Sequence, residues 1–159
     1  MKLLLLATLA LNLALAPAWA AAGPEQMPPP QAQALWNYIT KTSPYAKWGQ
    51  WPGYQGLQSS RSPHGPYNRV FVNQTGFDST KAPLNYGTIQ VKVAQTKNGK
   101  VKDIVAMYKV KGYNPQAGDW FWAKYSASGQ ALAAGKLAGC IRCHGVLGDN
   151  DYVMVHQFR

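Results

Sequence analysis

Three residues near the carboxyl end of the sequence could perform chemistry together: Cys140, Cys143 and His144, in the segment GCIRCHG. The two cysteines are the only ones in the chain. Two thiols separated by two residues, with an imidazole directly after the second, suit three kinds of site: a redox dithiol, part of a zinc site, or a covalent haem attachment. A choice among the three depends on the compartment of the chain and on the elements that position the motif.

The first residues have the pattern of a secretory signal peptide. Lys2 precedes a short apolar stretch, and Ala18-Trp19-Ala20 fits a cleavage site, so we predict removal of residues 1–20, with cleavage after Ala22 as a second choice. The apolar stretch is too short for a typical membrane anchor. We therefore expect an exported protein, periplasmic or secreted, with a single domain over residues 21–159 and no membrane span after cleavage.

Haem attachment explains the motif best. Two thiols a short turn apart can each form a thioether to one vinyl group of the same porphyrin, and the adjacent imidazole then lies under the iron as its ligand. A thioredoxin-like dithiol needs a βαβ setting, and zinc needs four ligands, for which only histidines at no zinc-finger spacing remain. We predict one covalently attached haem c per chain, held by Cys140 and Cys143, with His144 as the iron ligand.

The sequence offers no clear side chain for the other face of the iron. Met154 follows His144 by ten residues in a segment with strand character, and Met107 lies inside another strand pattern, so both are interpreted as packing residues. His64, between Pro and Gly in a turn, is interpreted as a structural histidine, and His156 as a surface residue. We therefore expect a five-coordinate iron with an open distal side that binds small molecules.

The charge of the chain is strongly positive, at +10, but it is not clustered. Lysines and arginines are spread from Lys41 to Arg159, without the basic run of a nucleic-acid-binding arm. A positive surface suits docking of an acidic redox partner, and it equally suits a purely colloidal role. We expect no nucleic-acid partner.

The pattern of the remaining segments predicts an α+β fold. QAQALWNYITK has the apolar stripe of an amphipathic helix, and Asn98-Gly99 is a hairpin signal between two alternating segments. A glycine-interrupted helix is predicted over residues 129–147. We expect a mainly antiparallel β-sheet of four to five strands with an N-terminal helix and a C-terminal haem-bearing helix; the strands are predicted at residues 67–73, 87–96, 101–110 and 120–126, with 151–158 as a candidate fifth.

Several segments, taken in order, resemble the cytochrome P-460 family, which also contains the cytochromes c′-beta. They cover nearly all of the chain after the N-terminal leader, and the late position of the haem motif makes their order more specific than the motif alone. The segments are SPHGPYNRVFVN, GTIQVKV, MYKVKGYNPQAGDWFWAKYSASG, GCIRCHGV and DNDYV. The resemblance implies an antiparallel β fold, a homodimer, and a haem held against the sheet.

The resemblance also implies two activities. Members of the P-460 type oxidise hydroxylamine and carry a covalent bond from a lysine to the porphyrin; the c′-beta type lacks this bond and binds nitric oxide or carbon monoxide. For this chain we predict hydroxylamine oxidation, with the electrons passed to an acceptor cytochrome, and gas binding without catalysis is the alternative. A simple electron carrier is the third alternative. In this sequence Lys92 is at the position that matches the linking lysine, although Val93 replaces the glutamate that follows it in many members. Phe71 falls in a matching strand and is expected over the iron.

The strand that contains Lys92 alternates cleanly. Ile89, Val91 and Val93 point to one face, and Gln90 and Lys92 point to the other. If the Ile/Val face meets the core, Lys92 is either an ordinary solvent-facing residue or part of a second, more polar cavity. The sequence shows no carboxylate in an evident position to act as a base in hydroxylamine oxidation, and water or His64 could serve instead.

Overall fold

A computed structural model describes residues 26–158 of the chain. The predicted signal peptide, residues 1–20, lies outside the described residues. Among those that are described, no helix has the length and apolar character needed to cross a membrane.

One antiparallel sheet of six strands forms the centre of the fold, and the strands are in sequence order across it. The predicted number of four to five is too low. The four strands predicted within residues 67–126 are confirmed, and the hairpin turn at Asn98-Gly99 joins the two central strands. The strands are β1 (Gln58–Ser59), β2 (Tyr67–Val72), β3 (Ile89–Gln95), β4 (Val101–Lys109), β5 (Trp120–Ser126) and β6 (Ala131–Gly135).

The two edge strands were missed for physical reasons. β1 is only two residues long, too short for any alternation to show. β6 consists of Ala, Leu and Gly, which led us to predict a helix, but it pairs with β5 from Trp122 to Tyr125. The first part of the helix predicted over residues 129–147 is therefore wrong. The candidate strand at 151–158 is also wrong, because Asp151 and Tyr152 adopt positive φ values of 52° and 67° and turn the chain.

Within residues 26–158, three short α-helices flank the sheet. The N-terminal helix is confirmed as α1 (Ala32–Asn37), which continues through a π-helical turn at Tyr38–Thr42. α2 (Gln74–Phe77) follows β2, and α3 (Ala138–His144) carries the cysteine motif before a 3₁₀ segment at Gly145–Asn150.

The sheet has a separate apolar cluster on each face, because successive side chains of a strand point in opposite directions. The first cluster packs the N-terminal helix against β3, β4 and β5, and it includes Leu35, Ile39, Ile89, Val91, Ile104, Phe121 and Tyr125. The second cluster packs the C-terminal segment against the other face, and it includes Trp51, Val70, Val72, Met107, Trp120, Trp122 and Val153. Each fully buried Val or Ile contributes about 1.5–3 kcal/mol to stability. Cys140 packs against the second cluster, so the motif lies on that face.

Candidate functional site

Helix α3 presents the cysteine motif beside the second cluster. Cys140 is half-buried and Cys143 is exposed, and both are free thiols. Ile141 packs against the second cluster with Cys140, which fixes the face that the short helix turns toward the sheet. Both sulfur atoms are thus available for bond formation.

The ring of His144 is oriented by one hydrogen bond. Its Nδ1 lies 2.8 Å from the carbonyl oxygen of Tyr152. Because a carbonyl only accepts, Nδ1 carries the hydrogen and Nε2 keeps its lone pair. Burial, with a smaller contribution from the charge of Lys92, holds the pKa of His144 below its ordinary value. Trp122 packs on the ring with centroids 4.7 Å apart. His144 is therefore a neutral, fixed imidazole of the kind that ligates metals.

The acceptor carbonyl for His144 comes from a left-handed turn. Asp151 and Tyr152 both have positive φ. For residues other than glycine this conformation costs roughly 1–2 kcal/mol each. Their backbone N–H groups donate to the carbonyls of Gly148 and Leu147. The turn directs the Tyr152 carbonyl back toward α3.

A cavity of about 160 Å³ opens in front of Cys143 and His144. A smaller recess of about 30 Å³ shares four of its lining residues, His64, Gln90, Lys92 and His144. Most other lining residues of the two spaces are apolar: Pro63, Val70, Val105, Ala106, Met107, Trp122, Met154 and Val155. The elements that supply these walls are β2 to β5, the loop before β2, α3 and the C-terminal segment.

The structure places Lys92 in this cavity. Strand β3 directs Ile89, Val91 and Val93 into the first cluster and Lys92 to the opposite side. The Lys92 ammonium donates a hydrogen bond to the Ser62 hydroxyl at 3.1 Å. Burial lowers the pKa of Lys92, and the neighbouring Cys143 opposes this shift. Alternation allowed Lys92 either to face solvent or to line a second cavity, and the structure shows Lys92 lining a cavity.

His64 also lines the cavity. The sequence left two roles open for it, a structural histidine in its turn or a proton acceptor near the haem. Burial lowers the pKa of His64 to about 4, and the positive charge of Lys92 adds to the effect. At neutral pH the ring is therefore uncharged. The only sequence signal for this residue was its place in SPHGPY, one of the segments that carry the family resemblance. Met154, interpreted as packing, lies at the same cavity and is 40% exposed.

Phe71 is not part of this group. It pairs with Val91 across the sheet and packs with Tyr45, at 5.5 Å between ring centroids, against the first cluster. Its neighbour Val70 pairs with Lys92 and lines the cavity in its place. The expectation that Phe71 covers the iron is therefore wrong, since Phe71 lies on the other face of the sheet.

Carboxylates are not found among the residues that line the two spaces, within the part of the chain that the structure describes. Asp119 and Asp151 serve the turns around them: Asp119 accepts from the backbone of Gly112 and Asn114, and Asp151 accepts from the backbone of Leu84. Of the lining residues outside the cysteine motif, His64 and Lys92 are the ones that can exchange protons.

The donor set fits a covalently attached haem. Two free thiols two residues apart lie beside an imidazole whose Nε2 lone pair is available, and apolar walls enclose the space in front of them. Cys140 and Cys143 would hold the porphyrin, and His144 would ligate its iron.

A family model described as Cytochrome P460 matches residues 45–155, more than half of the chain. The matched range includes the cavity residues and the whole cysteine motif. A comparison with curated proteins found no match.

Proposed function

The chain belongs to the cytochrome P460 family, and on this premise we propose that it is an exported c-type haem protein that oxidises hydroxylamine and passes the electrons to an acceptor cytochrome. Membership implies a haem cofactor. In the proposal Cys140 and Cys143 bind one haem c per chain through thioethers, His144 is the proximal ligand, and the protein works as a homodimer in the periplasm or outside the cell.

The observation that carries the proposal is the position of Lys92. A lysine without a carboxylate partner is costly to bury, yet this one lies in the cavity beside Cys143 and His144. Its lowered pKa increases the fraction of neutral amine, which is the nucleophilic form. A bond from Nζ to a porphyrin meso carbon replaces one N–H and one C–H bond, and therefore needs a two-electron oxidant of the peroxide class.

The cavity also determines what the protein itself can do with protons. A haem bound here would supply the metal site for the hydroxylamine nitrogen and the route by which electrons leave. His64, uncharged at neutral pH, can accept a hydrogen bond from an N–H or O–H group in the cavity. Because its pKa is low, a proton taken by His64 is readily released to solvent.

A second function is favoured by the same walls. The lining of the cavity is mostly apolar, with no carboxylate among its described residues. Such a pocket suits small, weakly polar ligands, and we propose nitric oxide or carbon monoxide binding without chemistry as the alternative. A simple electron carrier needs a protein side chain as the sixth ligand of the iron, and His64 and Met154 are the candidate side chains at the cavity.

Intact mass and absorption spectra distinguish these functions. The chain is produced with a cytochrome c maturation system, as the natural sequence, as Lys92→Met, and as Lys97→Met, a control in the exposed hairpin. Under the proposal, the natural protein and the control are two hydrogens lighter than protein plus haem, Lys92→Met has the full mass, and only the first two are reduced by hydroxylamine.

Each other result selects a different function. Full mass in all three proteins, with a spectrum that changes on adding nitric oxide but not hydroxylamine, selects the gas binder. A low-spin spectrum that ignores both ligands selects the electron carrier. A colourless protein refutes the haem site. Export and dimerisation are tested separately, by N-terminal sequencing for cleavage after Ala20 and by light scattering of the purified protein.

A further inference from the structure

A buried ion pair lies behind the turn that holds His144. The Lys109 ammonium donates to Asp151 Oδ1 at 2.7 Å, and both side chains are at most 5% exposed. The other carboxylate oxygen of Asp151 accepts from the backbone N–H of Leu84 at 2.8 Å. The Lys109 ammonium also lies 5.0 Å from the centre of the Trp120 ring. The Asp151 carboxylate is therefore held from β4 and from the loop before β3.

This pair is one residue away from the acceptor of the His144 hydrogen bond. Asp151 precedes Tyr152, whose carbonyl accepts from His144 Nδ1 at 2.8 Å. Both turn residues have positive φ, which side chains other than glycine rarely adopt. The Trp120 indole N–H donates to the Asp151 carbonyl at 3.0 Å and adds a further restraint. The side chain and carbonyl of Asp151 are therefore both anchored directly before the residue whose carbonyl accepts from His144.

We propose that Lys109 and Asp151 are positioning residues, which hold the Tyr152 carbonyl against His144 and so fix the tautomer, orientation and basicity of the iron ligand. The inference rests on the haem attachment proposed above. An acceptor behind a ligating histidine raises its basicity, and its loss typically weakens metal binding 10–100-fold. A more basic ligand favours ferric over ferrous iron. Loosening the carbonyl therefore raises the reduction potential.

The test compares variants of the haem-bearing protein in two measurements, the reduction potential and the iron–histidine stretching frequency of the ferrous form. Lys109→Met removes the cation, and Lys109→Met/Asp151→Asn removes both charges while keeping an acceptor for Leu84. In both variants we expect the stability of the ferric form relative to the ferrous form to fall at least tenfold. For a one-electron couple this is a rise of at least about 59 mV in the reduction potential. The iron–histidine stretching frequency should be lower. Ile39→Ala, in the first cluster, is the control for lost stability alone.

The control separates positioning from general destabilisation. Ile39→Ala should lower the urea midpoint while leaving the potential and the stretching frequency unchanged. If the Lys109 variants do not fold, Trp120→Phe is measured instead; it keeps an aromatic ring and removes one hydrogen bond to the turn, and it should shift both quantities in the same direction by less.

Two failures are distinguishable. Folded Lys109 variants with the reduction potential and stretching frequency of the natural protein refute the positioning role and leave the haem site intact. If those variants do not fold, a Trp120→Phe protein with both quantities unchanged refutes it in the same way. A natural protein without haem refutes the proposed function, and this inference with it.

Discussion

Acidification should destabilise the haem-free chain through His64. The ring is held partly buried and uncharged beside Lys92 and His144, so that protonating it in the folded chain is unfavourable. In the unfolded chain the same ring protonates at its ordinary pKa. The perturbation is therefore a fall in pH, compared between the natural sequence and His64→Gln.

The magnitude and sign follow from the two pKa values. The pKa of His64 falls from 6.5 in the unfolded chain to about 4 in the fold. The unfolded state binds the proton first as the pH falls, so the stabilising contribution is complete above pH 6.5 and is lost between pH 6.5 and about 4. At about 1.4 kcal/mol per pKa unit the loss has an upper limit of about 3–4 kcal/mol. Because part of the ring is in contact with solvent, we expect about 1–2 kcal/mol.

Urea unfolding at pH 7 and at pH 4.5 measures this loss in the chain produced without haem, with a thiol reductant present. The natural sequence should lose about 1–2 kcal/mol more than His64→Gln over this range. His156→Gln is the matched control: His156 stacks on Trp51 at 4.7 Å, outside the cavity, and its replacement keeps the contribution of His64. Equal losses in the natural chain and His64→Gln would refute the buried, neutral state of His64.

Three further substitutions have expected outcomes in the same unfolding assay, each compared with the natural chain at pH 7. Gly129→Ala should cost about 1–3 kcal/mol, because the new methyl group would meet the Trp36 indole at a backbone φ of 89°; an unchanged midpoint would contradict this packing. Trp51→Phe should cost about 1–3 kcal/mol, since it removes the indole donor, 2.6 Å from Oε1 of the buried Gln90; a neutral result would mean that Gln90 finds another donor. Lys92→Met should stabilise the haem-free chain by about 1 kcal/mol by removing a partly buried cation; a loss of stability would show that the hydrogen bond to Ser62 outweighs desolvation.

The central strands were predictable because their sequences carry the two-residue period of a sheet with two packed faces. The period in β3 and β4 and the Asn98-Gly99 turn between them set both strands and their connection. β6 was not predictable in this way, since Ala and Leu favour helices and only its pairing with β5 makes the segment a strand. Local preference was overridden by a tertiary contact.

The candidate site was predictable to the same extent. Cys140, Cys143 and His144 are set by spacing, and alternation limited Lys92 to two environments. Phe71 was misplaced because the register between β2 and β3 cannot be read from either strand alone. Val70 pairs with Lys92 and Phe71 with Val91, and a shift of one residue exchanges the two faces.

Other parts of the site are not determined by any local sequence pattern. The acceptor for His144 is a backbone carbonyl, which every residue has, and its direction depends on a left-handed turn at residues with side chains. The cavity position of His64 depends on the loop before β2 folding over β3. The hydrogen bond from Lys92 to Ser62 joins the same two segments, which are about thirty residues apart in the sequence. Such features follow from the whole fold rather than from any local pattern.

Two lysines on the same face of the sheet have different surroundings, which give one a structural role and the other a reactive amine. Lys109 is 3% exposed, and a carboxylate and a carbonyl accept from its ammonium, so its charge is matched and its role is to hold the turn behind His144. Lys92 is directed to the same face from β3, but the acceptor for its ammonium is the neutral Ser62 hydroxyl, and burial lowers its pKa. A matched buried charge stabilises one geometry, whereas an unmatched one favours the neutral, reactive amine. Among the described residues, the lysine proposed to react with the porphyrin is thus distinguished from Lys109 by the absence of a carboxylate partner. Placing a carboxylate at Ser62 (Ser62→Asp) should keep Lys92 protonated and prevent the cross-link, as a full-mass haem protein would show.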